Sequence, residues 1–401
     1  MILPNSTFCV LPWISLEASP IGTVRPCCLA DDEIVDDSGN KFDLRSADLK
    51  DVQNSDHMKS LRQEFLHGKQ PSTCRKCWNE ERSGRTSKRM HTLNRLKHIL
   101  TDDTWNIDAK PLMFLDLKLG NICNLKCRIC GSWSSSQSAA EEIKWTPRER
   151  QKQTFAYQML QAGNWPRQSD QFWSQIDQNI NNIRYIEFTG GEPFLIQEHF
   201  DMLQGIVDRG IAGNVEIHYN TNGTQYPEHA PEIWQHFKTV EIAVSVDDVG
   251  ERFEYQRSNA VWLDVLKNIA RFKQLRTQMP NIQLQCCITV NVFNVRYLRH
   301  VADWADYQDF NFVYWNMLHD APQWSIATLP KSAKLEISAY LKNCCPPERF
   351  RNEFEQIQEF MNCGVSTDGK QLRSSIADLD RKRNQNFADV CPEMAAIINY
   401  E

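Results

Sequence analysis

The sequence predicts an α/β fold, in which a small cysteine-rich α+β domain precedes a partial (β/α)6 barrel and helices follow it. Between residues 108 and 330, six short apolar runs alternate with helix-like stretches, as in a parallel sheet or an open barrel. Six such units are too few for the closed eight-stranded barrel. Cysteines cluster in residues 1–100, and residues 331–401 carry no strand-like run. These ranges are the three predicted domains.

The bulk composition is that of an ordinary globular protein. The 401 residues are 41% hydrophobic and 24% charged, with a net charge of −6 that argues against a nucleic-acid partner. No apolar run reaches the roughly 18 residues of a membrane span, and the N-terminus lacks the pattern of a signal peptide. We therefore expect a cytoplasmic protein without a membrane partner, in which the 14 cysteines bind metal or react more often than they pair.

The predicted strands are rich in β-branched and aromatic residues and are bounded by Asn, Gly, Asp or Pro. Helical periodicity fills the stretches between them. In such sheets, ligands bind beyond the carboxyl ends of the strands. The six strands are Met113–Leu119, Arg184–Phe188, Val215–Tyr219, Val240–Val246, Ile282–Asn291 and Phe310–Met317.

Outside the strand repeat, the sequence predicts a hairpin at Gly22 and a helix over Met58–His67. The basic stretch Arg82–His98 is predicted as a solvated linker helix. About fifty residues between Cys130 and Ile183 predict an inserted helical pair. The C-terminal helices are predicted at Lys331–Cys345, Glu348–Met361 and Gln371–Arg383.

Cys123, Cys127 and Cys130 follow the first barrel strand in one short loop. Three thiolates at this spacing can converge on one face of an iron–sulfur cluster, which normally takes four. One iron would then lack a protein ligand and stay open for chemistry. A disulfide would use two of the three cysteines, and zinc sites usually add a second Cys pair or histidine. The nearest histidines in sequence are His98 and His199.

Polar segments follow the later strands, at the edge where ligands are expected. The paired glycines of the first such segment let the backbone approach a ligand closely, and its proline stiffens the exit. The candidate binding residues are Gly190, Gly191, Glu192, Pro193, Asn220, Asn222, Ser245, Asp247, Arg257 and Asn291.

Taken in order, the cysteine loop, the Gly-Gly-Glu-Pro turn and the later segments resemble the motifs of the radical S-adenosylmethionine (radical SAM) superfamily, over roughly residues 111–320. The resemblance implies a 4Fe–4S cluster on the three cysteines, with S-adenosylmethionine chelating the open iron. The glycine turn would accept hydrogen bonds from its amino group, and Arg257 would bind its carboxylate. Asp248 stands where the family has glycine, which is a departure from the family's pattern.

The resemblance also implies the reaction. An electron from a donor such as flavodoxin or ferredoxin passes through the cluster and cleaves the sulfonium bond. The products are methionine and a 5′-deoxyadenosyl radical, which abstracts a hydrogen atom from the substrate. The cofactors break the bond, and the protein positions the reactants.

The N-terminal cysteines resemble the pattern of SPASM/twitch domains, which hold auxiliary iron–sulfur clusters. In most relatives this domain follows the barrel, whereas here it precedes it. A structural zinc ion is the alternative, because four thiolates with one Cys-x2-Cys pair suit zinc as well. Cys28 is an alternative ligand to Cys27. The resemblance implies a second 4Fe–4S cluster on Cys9, Cys27, Cys74 and Cys77.

Three functions follow from these patterns. The first is a radical SAM enzyme that modifies a peptide or protein, which the SPASM/twitch resemblance favours. The second applies the same chemistry to a small molecule such as a sugar, nucleoside or cofactor precursor. The third is a zinc-stabilised binding protein without activity, against which the intact cysteine loop and glycine turn argue.

Overall fold

A computed structural model describes residues 3–82, 84–100, 104–319 and 321–400. The described residues of Met1–Cys123, Ser132–Asn220 and Pro227–Val240 form one compact unit, called unit 1. Those of Asn124–Gly131, Thr221–Tyr226 and Glu241–Glu401 form a second, called unit 2. The predicted boundaries at 1–100, 108–330 and 331–401 stay predictions.

The strands are short, as expected for a sheet whose segments are covered by helices. In chain order they are β1 (Ser15–Ala18), β2 (Val24–Arg25), β3 (Phe114–Lys118), β4 (Lys126–Cys127), β5 (Tyr185–Thr189), β6 (Glu216–Thr221), β7 (Thr239–Ser245), β8 (Arg257–Ser258), β9 (Ile282–Val290) and β10 (Phe312–Met317).

Helices alternate with these strands and then close the chain. They are α1 (Leu11–Ile14), α2 (Leu49–Asn54), α3 (Asp56–Leu66), α4 (Arg75–Arg82), α5 (Lys88–Leu96), α6 (Ser136–Trp145), α7 (Phe155–Ala162), α8 (Asp170–Asn179), α9 (Gln197–Asp208), α10 (Ala230–Trp234), α11 (Glu251–Gln256), α12 (Trp262–Gln278), α13 (Leu298–Tyr307), α14 (Lys331–Asn343), α15 (Arg351–Cys363), α16 (Lys370–Arg383), α17 (Phe387–Val390) and α18 (Pro392–Ile397).

In unit 1, the strand order is β2-β1-β3-β5-β6. The pairs β1–β3, β3–β5 and β5–β6 are parallel, and only the hairpin partner β2 runs antiparallel to β1. Ile186 and Phe188 of β5 and Ile217 and Tyr219 of β6 are fully buried. These residues share one face of the sheet, and the side chains of Glu187 and His218 between them are half-buried on the other face.

In unit 2, β9 lies between β7 and β10, and β10 pairs with β9 in parallel. A separate two-stranded ladder joins β4, which carries Cys127, to β8, which carries Arg257. The mixed α/β class and the largely parallel strands of the sequence prediction are confirmed. Each of the six predicted barrel strands is present, with ends that shift by one or two residues.

The N-terminal segment does not form a sheet of its own. β1 pairs with β3 in parallel, with Ser15 opposite Phe114 and Ala18 opposite Leu117. The first hundred residues therefore contribute a strand to the sheet that contains the first barrel strand. Sequence reasoning missed this strand because Ser15–Ala18 is only four residues long.

The basic stretch is solvated only in part. Within the predicted Arg82–His98, α5 is helical, and three of its cations form ion pairs: Lys88 with Glu187, Arg89 with Glu81, and Arg95 with Glu216. The three basic side chains are between 6% and 18% exposed, so the helix is packed against acidic partners. The pattern of charge predicted a helix but not its partners, which lie far away in sequence.

Helices of the predicted C-terminal set are present as α14, α15 and α16, and two further short helices, α17 and α18, follow them. The insert after Cys130 contains three α-helices, α6 to α8, where a pair was predicted. Among the described residues, no helix has the length and apolarity to cross a membrane.

Candidate functional site

The entry to the cysteine loop is fixed by close backbone contacts within unit 1. Gly120 has a φ of +85°, and a Cβ there would lie 1.9 Å from the carbonyl oxygen of Gly163. Only glycine fits this position. The side chain of Asn121 donates to the carbonyl oxygen of Ser132 (2.9 Å), and the Cys123 amide donates to Ser136 Oγ (3.2 Å). The start of α6 therefore holds the first cysteine.

The glycine turn after β5 packs directly against this loop entry. Gly190 and Gly191 have φ values of +72° and +53°. A Cβ on Gly191 would lie 2.3 Å from the carbonyl oxygen of Ile122, to which the Glu192 amide donates (2.8 Å). The turn thus contacts the residue that precedes Cys123.

Two further predicted residues of unit 1 complete this edge. Glu192 is fully buried, and its carboxylate accepts the amide of Phe194 (3.2 Å) and so caps the short 3₁₀ helix Pro193–Leu195. Asn220, near the end of β6, is half-buried. In this structure Glu192 shapes the turn through its own hydrogen bond.

In unit 2, the second cysteine lies beside a buried guanidinium. Cys127 is directly opposite Arg257 in the β4–β8 ladder, and Arg257 Nη1 is 3.9 Å from Cys127 Sγ. A hydrogen bond from Cys130, which outweighs burial, and the charge of Arg257 lower the pKa of Cys127. The thiolate, the form that ligates metals, is thereby favoured.

Arg257 is already paired. Its Nη2 forms an ion pair with Asp247 (2.8 Å), and its Nε has no hydrogen-bond partner among the described residues. The Thr289 amide donates to Asp247 Oδ1 (3.0 Å) and fixes that carboxylate. A buried donor without a partner is uncommon and suits a site that receives an anion.

Asn291, in contrast, has a structural role. The residue is fully buried; its Nδ2 donates to Gln256 Oε1 (3.1 Å), and its Oδ1 accepts the Phe293 amide (2.8 Å). These hydrogen bonds shape the turn after β9 and involve both the nitrogen and the oxygen of the side-chain amide. Ser245 lies half-buried at the end of β7.

Asn222 contacts the cysteine loop itself. Its Nδ2 donates to Asn124 Oδ1 (2.9 Å), and its Oδ1 accepts the Thr224 amide (2.9 Å). Asn124 in turn donates to Thr224 Oγ1 (2.8 Å). Asn222 therefore positions the loop between the first two cysteines, and Asn124 is a partner that sequence reasoning missed.

Arg128 is the most connected residue that sequence reasoning missed. It follows Cys127 and is 2% exposed. Its Nη2 donates to Asp380 Oδ1 (2.6 Å) and Gln385 Oε1 (2.8 Å), and its guanidinium lies 3.6 Å from the ring centre of Tyr255. The signal available in the sequence was a cation placed between two ligand cysteines.

The carboxylate of Asp380 accepts hydrogen bonds from several donors. Its Oδ1 also accepts the Tyr255 hydroxyl (2.8 Å), and its Oδ2 accepts the Phe387 amide (2.7 Å). Within unit 2, the C-terminal helices α16 and α17 are therefore connected to the cysteine loop.

The N-terminal cysteines converge in unit 1. Cys9, Cys27, Cys74 and Cys77 line one enclosed cavity, together with Lys88 and other side chains. Burial, with the charge of Cys27, raises the pKa of Cys77 to about 11. Four clustered thiols that resist ionisation in a buried cavity are typical of a site where a metal supplies the positive charge. All four predicted ligands thus lie together.

Cys28 points to a different group of side chains. Its Sγ and one carboxylate oxygen each of Asp116 and Glu187 lie within 4.8 Å of one another. Cys27, which lines the four-cysteine cavity, is therefore the better candidate for the auxiliary site.

Comparison with known families agrees with this arrangement. Residues 117–282 match the radical SAM superfamily, and residues 9–78 match the SPASM iron–sulfur cluster-binding domain. No curated protein matches the chain.

Two solved structures are among those that match part of the chain. Native anSMEcpe with bound AdoMet is 19% identical with a TM-score of 0.39, over 58% of this chain and 59% of that one. Streptococcus suis SuiB bound to precursor peptide SuiA is 12% identical with a TM-score of 0.35, over 79% and 68%. The chain thus spans less than two thirds of the length of anSMEcpe.

We expect Gly191→Ala to weaken S-adenosylmethionine binding at least tenfold, because an alanine at positive φ costs about 1–2 kcal/mol and its Cβ would overlap the Ile122 carbonyl. Equilibrium dialysis with labelled S-adenosylmethionine measures the affinity. Gly213→Ala is the matched control, since a Cβ there meets no atom within 4 Å. Equal affinity in the two variants would contradict a role for the turn.

We expect Asp380→Asn to destabilise the cysteine loop, because breaking a buried ion pair costs about 3–5 kcal/mol. Melting temperature and the rate of iron loss to a chelator measure the effect. Asp378→Asn, on the same helix but with a 40% exposed side chain, is the control and should change both little. Equal iron loss in both variants would show that Asp380 does not stabilise the cysteine loop.

Proposed function

Since the chain is a radical SAM enzyme with a SPASM domain, we propose that it reductively cleaves S-adenosylmethionine and uses the resulting radical to remove a hydrogen atom from a peptide or protein. A 4Fe–4S cluster on Cys123, Cys127 and Cys130 would supply the electron that breaks the sulfonium bond. The chain's own residues bind and orient the reactants.

The observation that carries this proposal is the environment of Cys127. A buried guanidinium lies 3.9 Å from its sulfur, and the pKa of the thiol is lowered. The donor set fits a cluster, because thiolates are the ligands that iron–sulfur clusters take. Arg257, fixed by Asp247, keeps one buried N–H without a partner among the described residues, which suits a carboxylate ligand.

The other predicted binding residues fall into two groups. Gly190 and Gly191 would present backbone carbonyls to an ammonium group, while Glu192 and Pro193 hold the turn in shape. Asn222 positions the cysteine loop, and Asn220, Ser245 and Asn291 would shape the edge where ribose binds.

For the N-terminal site we propose a second 4Fe–4S cluster on Cys9, Cys27, Cys74 and Cys77. All four lie within the match to the iron–sulfur SPASM domain and line one cavity. The cation of Lys88 beside the cavity would offset the negative charge that four thiolates bring. Zinc is the alternative occupant, because it takes the same four thiolates.

We further propose a cytoplasmic enzyme that receives electrons from a donor such as flavodoxin or ferredoxin. A peptide or protein substrate is favoured because SPASM domains accompany radical SAM enzymes that act on such substrates. A small-molecule substrate remains the second candidate.

The reaction class is tested by product analysis. We expect the enzyme, reconstituted anaerobically with iron and sulfide and given dithionite and S-adenosylmethionine, to form 5′-deoxyadenosine, and Cys127→Ala to form none above background. Chromatography with mass detection measures the product. Cys345→Ala, which removes an exposed thiol, should behave as wild type. No product from wild type would refute the proposal.

The auxiliary site is tested by metal content. We expect Cys74→Ala/Cys77→Ala to lose about four iron atoms per chain while keeping the cluster signal of the first site. Iron, sulfide and zinc analysis, with electron paramagnetic resonance of the reduced protein, gives the result. Loss of one zinc with unchanged iron would identify the zinc alternative.

A further inference from the structure

A row of ionisable side chains crosses the sheet of unit 1. Glu17 is directly opposite Asp116, Asp116 is opposite Glu187, and Glu187 is opposite His218, on the adjacent strands β1, β3, β5 and β6. Opposed residues in a sheet share a face, so three carboxylates lie side by side. Like charges in this arrangement destabilise a sheet, and such a row calls for a compensating interaction.

Two of these carboxylates have cations of their own. Glu17 accepts hydrogen bonds from Arg25 (2.8 Å) and Lys118 (2.7 Å). Glu187 Oε2 is paired with Lys88, and the charge of His218 also acts on this carboxylate.

Asp116 differs from its neighbours. It is fully buried, and neither carboxylate oxygen has a hydrogen-bond partner among the described residues. A buried carboxylate without a partner is costly and rare in folded proteins. Its local cations, Lys88 and Lys118, are engaged by Glu187 and Glu17. Asp116 therefore has no cation of its own, and the carboxyl group of Glu187 lies within hydrogen-bond reach of it.

The third group at this point is a thiol. Cys28 Sγ and one oxygen each of Asp116 and Glu187 lie within 4.8 Å of one another. In a tetrahedral zinc site, bond lengths of about 2.0–2.3 Å place ligand atoms about 3.3–3.8 Å apart. Moving each side chain inward by about an ångström would reach that geometry.

We propose that Cys28, Asp116 and Glu187 form a metal site that takes a zinc-type divalent cation. The thiolate favours zinc over magnesium or calcium, and two carboxylates complete a three-residue set with a fourth position open. Lys88 holds the other oxygen of Glu187 and so orients that ligand. This site is separate from the four-cysteine cavity and does not depend on the proposed radical chemistry.

The location of the site indicates which group would occupy the fourth coordination position of the metal. Glu187 lies three residues before Gly190, and a Cβ on Gly190 would lie 3.0 Å from the Cβ of Lys118, two residues after Asp116. The site is thus next to the glycine turn within unit 1. An oxygen of a substrate bound at this edge would be a suitable fourth ligand.

The competing account is a proton shared by two carboxyl groups. Burial, together with the charge of Glu187, raises the pKa of Asp116 to about 6, which would favour a protonated carboxyl beside an ionised one. A shared proton leaves no role for Cys28 and no affinity for zinc. The two accounts therefore differ in a measurable way.

The test uses the holoenzyme, with its cysteine sites first filled with iron and sulfide under anaerobic conditions. Zinc is then titrated against a chromophoric chelator. We expect one further equivalent of zinc, and at least a tenfold loss of affinity in Cys28→Ser and in Asp116→Asn. Cys363→Ser and Asp56→Asn, which remove an exposed thiol and an exposed carboxylate, should bind zinc as wild type does.

X-ray absorption at the zinc edge identifies the ligands without interference from iron. We expect one sulfur at about 2.3 Å and oxygen or nitrogen at about 2.0–2.2 Å. Four sulfurs would place the zinc in the four-cysteine cavity and overturn the proposal. An absence of zinc binding in wild type, with normal melting temperature, would overturn it as well. Formation of 5′-deoxyadenosine in the same samples reports on the proposed function separately.

Discussion

The buried guanidinium of Arg128 is the interaction on which the shape of the cysteine loop depends. Removing a guanidinium from water costs several kcal/mol, so the chain must deliver it to partners that satisfy it. Asp380 and Gln385 accept from its Nη2 and the Tyr255 carbonyl oxygen accepts from its Nε, while its Nη1 has no hydrogen-bond partner among the described residues. Because Arg128 follows Cys127 directly, satisfying the cation fixes the backbone next to the thiol. This contact adds to the β4–β8 pairing that holds the same loop.

Buried arginines also bind the backbone near the N-terminal cysteines. The guanidinium of Arg89 is 5% exposed and donates to the carbonyl oxygens of Ser6 (3.1 Å) and Phe8 (2.8 Å), next to Cys9. Arg62, fully buried, donates to the carbonyl oxygens of Pro12, Gln53 and Ile107. Burial lowers the pKa of Arg62 to about 10. In both units, a buried arginine immobilises the backbone beside candidate ligands.

Local signals explain which features were predictable. The six barrel strands and the glycine turn were predictable from residues that are adjacent in the sequence. The paired glycines indicated a tight turn, and Gly191 has the positive φ that such a turn needs. The four N-terminal cysteines were grouped by their resemblance to a family. In contrast, Arg128 and Asp380 are 252 positions apart, and nothing local in either residue indicates the other. The row of Glu17, Asp116 and Glu187 depends on strand register, which spacing along the chain does not reveal. The same limit applies to the basic helix α5, whose partners lie on distant strands.

The pairing of β1 with β3 has a consequence for how the protein can be divided. Four N-terminal residues cover the edge of the first barrel strand, across about a hundred residues of intervening chain. A fragment that starts at residue 108 would keep the cysteine loop but leave the backbone donors and acceptors of β3 open on one side. Such an edge recruits strands from other molecules, so that fragment would self-associate. By covering this strand edge, the N-terminal segment protects the protein against aggregation. It does so whether or not it binds a metal.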